Sequence, residues 1–127
     1  MLSESGGKRC RETNIGVDPT QIPIAMRDLC DDTRAQIGDG TQLAYAPSEL
    51  AVRFHHRLVT IHPYPNGNGR HSRLATDLLV RDLGIDEFTW GTKDISAAAG
   101  TRQRYLAALR AVDSRQDFTE LIAFARS

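Results

Sequence analysis

Apolar residues recur every three to four positions in several stretches of the chain, which is the spacing of one face of an α-helix. Prolines and glycines mark the ends of these stretches: Pro47 suits a helix's first turn, Pro63 must end the same helix, and Gly38 and Gly84 close two others. Five helices are predicted, at about 21–37, 47–62, 68–83, 93–112 and 117–125.

The large apolar side chains of each stripe are the predicted core. They are Ile22, Ala25, Met26, Leu29 and Ile37 in the first helix; Leu50, Phe54, Leu58 and Ile61 in the second; Leu74, Leu78 and Leu79 in the third; Ile95, Ala98, Tyr105 and Leu109 in the fourth; and Phe118, Leu121 and Ile122 in the fifth.

The connections between the helices follow from their polar and glycine content. Residues 38–46 are predicted as a loop, and 85–91 as an irregular connection around Trp90. A weak alternation at 13–17 predicts one short strand, which Asp18 and Pro19 end. The pattern therefore indicates a mainly α-helical domain.

Composition narrows the class of protein. The chain has 127 residues, enough for one domain, and 40% apolar with 25% charged residues excludes wholesale disorder. A net charge of +0 argues against a nucleic-acid partner, and no apolar run reaches the roughly 18 residues of a membrane span. The start of the chain lacks the layout of a secretory signal, and Cys10 and Cys30 are too few for a disulfide scaffold. We expect a cytoplasmic protein with free thiols and a flexible tail at 1–12.

The segment from His62 to Arg73 contains the candidate chemistry. It joins two predicted helices through two prolines and two glycines, and Gly67 and Gly69 allow backbone conformations that other residues resist. Successive backbone N–H groups beside the start of a helix form a concavity suited to phosphate oxygens. The alternative is a purely structural turn, since Asn-Gly is a common turn signal.

Two arginines favour the anion site. A cation in the first turn of a helix is disfavoured by up to about 1 kcal/mol. Arg70 and Arg73 nevertheless occupy the first turn of the third predicted helix, with no acidic residue before Asp77. A bound polyanion resolves this conflict, because both guanidinium groups can then hold it. The alternative is a pair of solvated arginines, with Arg73 paired to Asp77.

His62 lies at the end of the second predicted helix, beside the same turn, where a general base would stand. A histidine metal site built from His55, His56, His62 and His71 is the rival interpretation. In a straight helix the first and third of these are about 10.5 Å apart along the axis, too far for one ion. The general base is therefore the stronger prediction.

The segment resembles the motif of the Fic (filamentation induced by cAMP) family in the Fido superfamily, His-x-Phe-x-(Asp/Glu)-Gly-Asn-Gly-Arg-x-x-Arg. Residues 14–19 and 62–66 look most like a bacterial subgroup labelled mobile mystery protein B, and the resemblance extends from about residue 14 to the C-terminus. The matching positions are His62, Gly67, Asn68, Gly69, Arg70 and Arg73, with Tyr64 as a conservative match.

The resemblance implies a Fic-type helical bundle at 13–127 with a short β-hairpin flap, which moves AMP or another nucleotide monophosphate from ATP to a hydroxyl of a target protein. In that scheme His62 deprotonates a Ser, Thr or Tyr hydroxyl, and Gly67, Asn68 and Gly69 hold the α- and β-phosphates. Arg70 and Arg73 hold the outer phosphates. Structural roles fall to Pro63 and Tyr64, and a target segment docks on the flap at Ile15, Gly16 and Val17.

The chain departs from the family pattern in two places. Asn66 stands where the family has Asp or Glu to hold Mg²⁺, so it is a weak metal ligand, and the chain begins almost at the flap, without the family's usual upstream helices. No glutamate is followed by the Gly or Asn of the family's inhibitory motif, so inhibition would come from a separate antitoxin or an upstream part.

Two other function classes remain open. A non-catalytic Fic module that binds nucleotide or peptide is favoured by Asn66. A nucleic-acid accessory protein is disfavoured by the neutral charge, although Lys8, Arg9 and Arg11 form a small basic tail.

Overall fold

The structure is a computed structural model that describes residues 18–61, 68–93 and 100–127. Within these ranges the regular elements are all helical, which confirms the predicted mainly α-helical fold. None of these helices is long and apolar enough to cross a membrane. A 3₁₀ turn at Pro19–Gln21 is followed by α1 (Ile22–Ile37), α2 (Pro47–Ile61), α3 (Asn68–Leu83), α4 (Thr101–Arg115) and α5 (Thr119–Ala125). The predicted tail and the predicted strand of the flap, including Ile15, Gly16 and Val17, lie outside the described residues.

Four of the five helices agree with the sequence prediction to within two residues, but α4 does not. Lys93 is not helical, because it lies in a turn and its backbone N–H donates to the carbonyl of Ser127 at 3.1 Å. At the other end the helix continues to Arg115, where Gln116 takes a left-handed conformation and donates its N–H to the carbonyls of Ala111 and Val112. The predicted core residues Ile95 and Ala98 lie outside the described residues.

Helix α2 is at the centre of the fold, because it contributes to both clusters of buried apolar side chains. The smaller cluster joins Leu29 of α1 to Leu58 and Ile61 of α2. The larger one brings the other side of α2 against α3, α4 and α5, and it consists of Ala51, Val52, Val59, Val80, Phe88, Tyr105, Ala108, Leu109, Val112, Leu121, Phe124 and Ala125.

The predicted inner face of α3 is wrong for two of its three leucines. Leu74 is 59% exposed and Leu78 is 51% exposed. The helix instead buries Ser72, Thr76 and Val80, which recur at every fourth residue, and its leucines at 79 and 83 pack at the edge of the larger cluster. The largest apolar side chains do not mark the inner face of α3, because this face packs against a polar side chain of α2, His55.

Residues 85–91 run without regular secondary structure, as predicted, and the irregular segment continues to residue 93. It is held against the end of α5. The backbone N–H groups of Thr89 and Trp90 both donate to the carbonyl of Ala125, at 2.8 and 2.9 Å. Trp90 has φ of 51° and Gly91 has φ of 82°, so two successive residues adopt the left-handed region. A Cβ atom on Gly91 would lie 2.8 Å from the ring of Phe124, so only glycine fits at this position.

We expect Gly91→Ala to lower the free energy of unfolding by about 2–4 kcal/mol, because it combines left-handed strain with a clash inside the core. Gly84→Ala is the matched control: Gly84 also has a positive φ, of 75°, but its Cβ would meet nothing within 4 Å. The control isolates the strain of about 1–2 kcal/mol. Urea denaturation measures both variants, and an equal loss in the two would contradict the clash.

Candidate functional site

The structure describes the second half of the candidate motif. Of the predicted site residues, His62, Pro63, Tyr64, Asn66 and Gly67 lie outside the described residues. Helix α2 ends at Ile61, which is buried, and α3 begins at Asn68. The two helices form the most extensively packed pair in the described parts of the chain. The motif therefore connects the ends of two helices that are fixed against each other.

Helix α3 begins at Asn68, so Arg70 lies in its first turn and Arg73, its sixth residue, lies in the second turn rather than in the first as predicted. The first turn contains no acidic residue. Arg70 is exposed and Arg73 is half-buried. Within the described residues neither forms an ion pair, and Asp77 Oδ1, the alternative partner of Arg73, instead accepts a hydrogen bond of 2.9 Å from Trp90 Nε1. Two cationic groups thus lie without a carboxylate partner among the described residues, near the helix end that favours anions.

Arg73 lies close to the beginning of its helix. A Cβ atom built on Gly69 would be 3.5 Å from Arg73 Nη1 and 3.9 Å from the ring of Tyr105. The guanidinium carbon of Arg73 is 5.3 Å from the centre of that ring. Side chains on a helix lean towards its N-terminus, and here this leaning brings the guanidinium group alongside the first turn. These distances are ordinary van der Waals contacts, so Gly69, Arg73 and Tyr105 are packed neighbours.

Beneath Arg73 is a buried polar group that joins three helices. His55 of α2 is 0% exposed. Its Nε2 is 2.8 Å from the hydroxyl of Tyr105 on α4, and its Nδ1 is 3.2 Å from Thr76 Oγ1 on α3. Thr76 in turn donates to the carbonyl of Ser72 at 2.7 Å. We call these four residues, Tyr105, His55, Thr76 and Ser72, the His55 network.

Burial keeps the ionisable members of the network neutral. Desolvation lowers the pKa of His55 to about 3, against the smaller opposing effect of a hydrogen bond to the backbone of Ser72. Desolvation also raises the pKa of Tyr105, more than the charge and hydrogen bond of Arg73 lower it. His55 is therefore a neutral imidazole with both nitrogens hydrogen-bonded, so it is unavailable as a metal ligand or a base.

The remaining described histidines do not assemble a metal centre either. His56, next to His55, faces α4 elsewhere, and its Nε2 is 2.7 Å from Asp113 Oδ1. His71 is exposed on α3. Within the described residues no three His, Cys, Asp or Glu side chains come close enough to share an ion.

A cavity of about 500 Å³ opens beside Arg73. The ring of Trp90, one of its walls, lies 4.7 Å from the ring of His55 between centres, so the cavity and the His55 network are in contact. It is lined by Arg73, Thr89, Trp90, Thr92, Thr101, Arg102, Tyr105 and Phe124. Two arginines, three threonines and three aromatic residues thus line one cavity beside Arg73.

The His55 network was not predicted from the sequence. The only signal was a polar stripe: Ser72 and Thr76 follow one another at helical spacing on α3, and His55 interrupts the apolar stripe of α2. Such a stripe is also typical of a solvated helix face, so periodicity alone could not assign it to the core.

Comparison with known proteins bears on what this site does. The sequence profile of the Fic/DOC family matches residues 4–80, which include the whole motif and most of α3. The chain belongs to the Fic/DOC family. The match covers more than half of the chain, and it ends at Val80.

Several curated proteins are similar to this Fic/DOC chain over part of their length. Protein adenylyltransferase fic-1 of Caenorhabditis elegans is 30% identical over 86 residues, which are 65% of this chain and 16% of that protein. The protein of the same name from Caenorhabditis briggsae is 29% identical over 82 residues, with the same coverage of 65% and 16%. Protein adenylyltransferase and cysteine protease IbpA of Histophilus somni is 31% identical over 67 residues, 53% of this chain and 2% of that protein. The chain thus spans 16% or less of these relatives. No solved structure is significantly similar to the chain.

We expect the free energy of unfolding to fall as the pH is lowered from about 6.5 towards 3. Above pH 6.5 His55 is neutral in both the folded and the unfolded state, so its titration does not change the free energy of unfolding. Below that pH, His55 is protonated in the unfolded state. In the folded state it stays neutral until the pH approaches its lowered pKa of about 3. The slope approaches about 1.4 kcal/mol per pH unit.

Urea denaturation at several pH values between 7.5 and 5 tests this expectation before most carboxylates titrate. His55→Gln cannot titrate and should lose the slope, whereas His71→Gln, at an exposed position, should keep it. The same slope in wild type and His55→Gln would contradict the assignment.

Proposed function

We propose that this chain is a nucleotidyltransferase domain that moves AMP, or another nucleotide monophosphate, from ATP to a hydroxyl side chain of a target protein. The observation that carries the proposal is the start of α3, where Arg70 in the first turn and Arg73 in the second have no carboxylate partner among the described residues. A polyanion with several phosphates is the ligand that this arrangement favours. Membership of the Fic/DOC family and similarity to proteins named adenylyltransferases support the choice of ATP.

The proposed step follows the motif residue by residue. A hydroxyl oxygen of the target attacks the α-phosphorus of ATP, and its proton passes to His62. The bond from that phosphorus to the bridging oxygen breaks, and pyrophosphate leaves. The backbone of Gly67, Asn68 and Gly69 holds the α- and β-phosphates, as the start of a helix favours.

The two arginines bind the outer phosphates in this scheme. Arg70 steadies the β-phosphate, while Arg73, placed beside the first turn, reaches the outermost group. A guanidinium group suits this role, because its planar set of donors can make two parallel hydrogen bonds to one phosphate.

The remaining assignments concern the surroundings of the reaction. Ile15, Gly16 and Val17 form the flap that pairs with an extended target segment by strand addition. Pro63 and Tyr64 support the connection between α2 and α3. We place the reaction in the bacterial cytoplasm, in the mobile mystery protein B subgroup, with a separate antitoxin as regulator.

Asn66 favours a second candidate function. An amide supplies an oxygen but no charge where the family pattern has a carboxylate. The second candidate is therefore a catalytically weak or inactive Fic module that binds nucleotide or peptide without transfer.

His62→Ala separates the two candidates. If the chain is a transferase, the variant should fold and bind ATP like wild type but transfer about 10²–10⁴ times more slowly, as expected for the loss of a general base. The measurement is incorporation of label from α-³²P-ATP into proteins of a bacterial lysate, with ATP binding followed by calorimetry. His71→Ala removes an exposed histidine of α3 and serves as the control.

Each outcome of this assay identifies one candidate. Label that depends on His62 means an enzyme, and nucleotide binding without label means a binding module. Equal labelling by wild type and His62→Ala would reject His62 as the base.

Magnesium is the cofactor that the family resemblance implies, and the described residues fit it only in part. They contain no acidic cluster that would hold the ion, and the motif position that holds it in the family pattern is Asn66, which lies outside them. When bound with ATP, Mg²⁺ neutralises phosphate charge. We therefore propose a weakly bound ion, held mainly by the phosphates themselves.

Asn66→Asp tests this point. The substitution is nearly isosteric and adds the missing charge, so the Mg²⁺ concentration for half-maximal transfer should fall by about tenfold, as one charge-assisted contact would give. A titration of transfer rate against Mg²⁺ measures it, and Gln42→Glu, the same change from amide to carboxylate at an exposed position between α1 and α2, is the control. Efficient wild-type transfer at low Mg²⁺, with no gain in the variant, would show that another group completes the site.

A further inference from the structure

The His55 network has a single consistent set of proton positions. Thr76 donates its only hydroxyl proton to the carbonyl of Ser72, so its oxygen can only accept from His55. Nδ1 of His55 therefore carries the ring proton, and Nε2 is the acceptor. The hydroxyl of Tyr105, 2.8 Å from Nε2, must then be the donor.

This direction leaves the oxygen of Tyr105 with lone pairs for one more donor, and Arg73 is the neighbouring donor. Its guanidinium group lies over the Tyr105 ring, and its Nη1 and the Tyr105 hydroxyl oxygen are 3.5 and 3.9 Å from one point, the Cβ position of Gly69. The series of bonds runs from Tyr105 to His55, to Thr76 and to the carbonyl of Ser72, and Arg73 lies beside its first member.

A purely structural purpose does not explain this arrangement well. Apolar side chains of similar volume would fill the same space without the cost of removing four polar groups from water. Beside the first member of the series lies a group that the core does not need: Arg73 is half-buried, lines the cavity beside α3 and has no carboxylate partner within the described residues.

We propose that Tyr105 and His55 are positioning residues that hold the guanidinium group of Arg73 in place for a phosphate group at the start of α3, an inference that rests on the function proposed above. An arginine side chain has many rotamers, and ordering it only when the ligand arrives would weaken binding. The Tyr105 hydroxyl fixes one rotamer in advance, and His55 fixes the direction of that hydroxyl.

The test uses the full chain and the variant Tyr105→Phe, which removes one oxygen and keeps the ring in the core. Tyr45→Phe is the matched control, because Tyr45 also lies under an arginine, with Arg53 at 4.1 Å from its ring centre, away from α3. Arg73→Ala sets the largest effect that loss of this arginine can give. His55→Leu removes the hydrogen-bond acceptor of the Tyr105 hydroxyl, whereas His55→Gln retains an acceptor.

Two readouts are measured. The first is the affinity for ATP and for AMP by calorimetry. The second is the ordering of Arg73 in the nucleotide-free chain, from ¹⁵N relaxation of its Nε–Hε group, a signal identified by its absence in Arg73→Ala.

Tyr105→Phe should lower ATP affinity by about three- to tenfold, as for the loss of one hydrogen bond, and should leave AMP affinity within twofold. The Nε–Hε group of Arg73 should become mobile, while Tyr45→Phe changes neither readout. His55→Gln should retain more ATP affinity than His55→Leu, and if the leucine variant does not fold, Tyr105→Phe decides alone.

Other outcomes overturn the inference. An Arg73 group that stays ordered in Tyr105→Phe would show that the hydroxyl does not hold it. An equal loss of ATP and AMP affinity would show general damage to the fold. If wild type binds no nucleotide, the proposed function fails, and the Nε–Hε signal alone then decides whether the network holds Arg73.

Discussion

The hydrogen bonds of one buried histidine determine how the helices of this chain can pack. His55 is fully enclosed, and an imidazole without partners in such a place would cost about 1–3 kcal/mol for each unsatisfied group. Satisfying both nitrogens requires α3 to present Thr76 and α4 to present Tyr105 at the same point along α2. The faces of α3 and α4 are therefore chosen by a polar requirement, and the apolar clusters form around it.

This requirement explains which parts of the structure could be predicted from the sequence. Helix spacing and the prolines and glycines located α1, α2, α3 and α5, because these signals are local. The inner face of α3 could not be predicted from them, since Leu74 and Leu78 are the larger apolar residues and yet lie outside. The burial of Thr76 is explained by His55, whose Nδ1 lies 3.2 Å from its hydroxyl oxygen, and helix spacing alone does not show that these two residues meet.

The candidate site also contains residues that could be predicted from the sequence and one that could not. The arginines near the start of α3 were predictable, because a local charge conflict at the start of a helix is visible in the sequence alone. The contribution of Tyr105 was not, since it is 32 positions beyond Arg73 and was assigned to the apolar stripe of α4. A buried tyrosine reads as a core residue until the partner of its hydroxyl is seen.

A second histidine of α2, His56, helps to fix the position of α4 along α2. His55 and His56 are neighbours on α2, yet their partners on α4, Tyr105 and Asp113, are eight residues apart. At 1.5 Å per residue these partners are about 12 Å apart along the helix axis, or slightly more than two turns. Two contacts so far apart prevent α4 from sliding along α2 or turning about its own axis without breaking one of them. The contact of His55 with Tyr105 is buried, whereas the contact of His56 with Asp113 is open to water. The position of α4 is therefore held by one buried and one exposed contact.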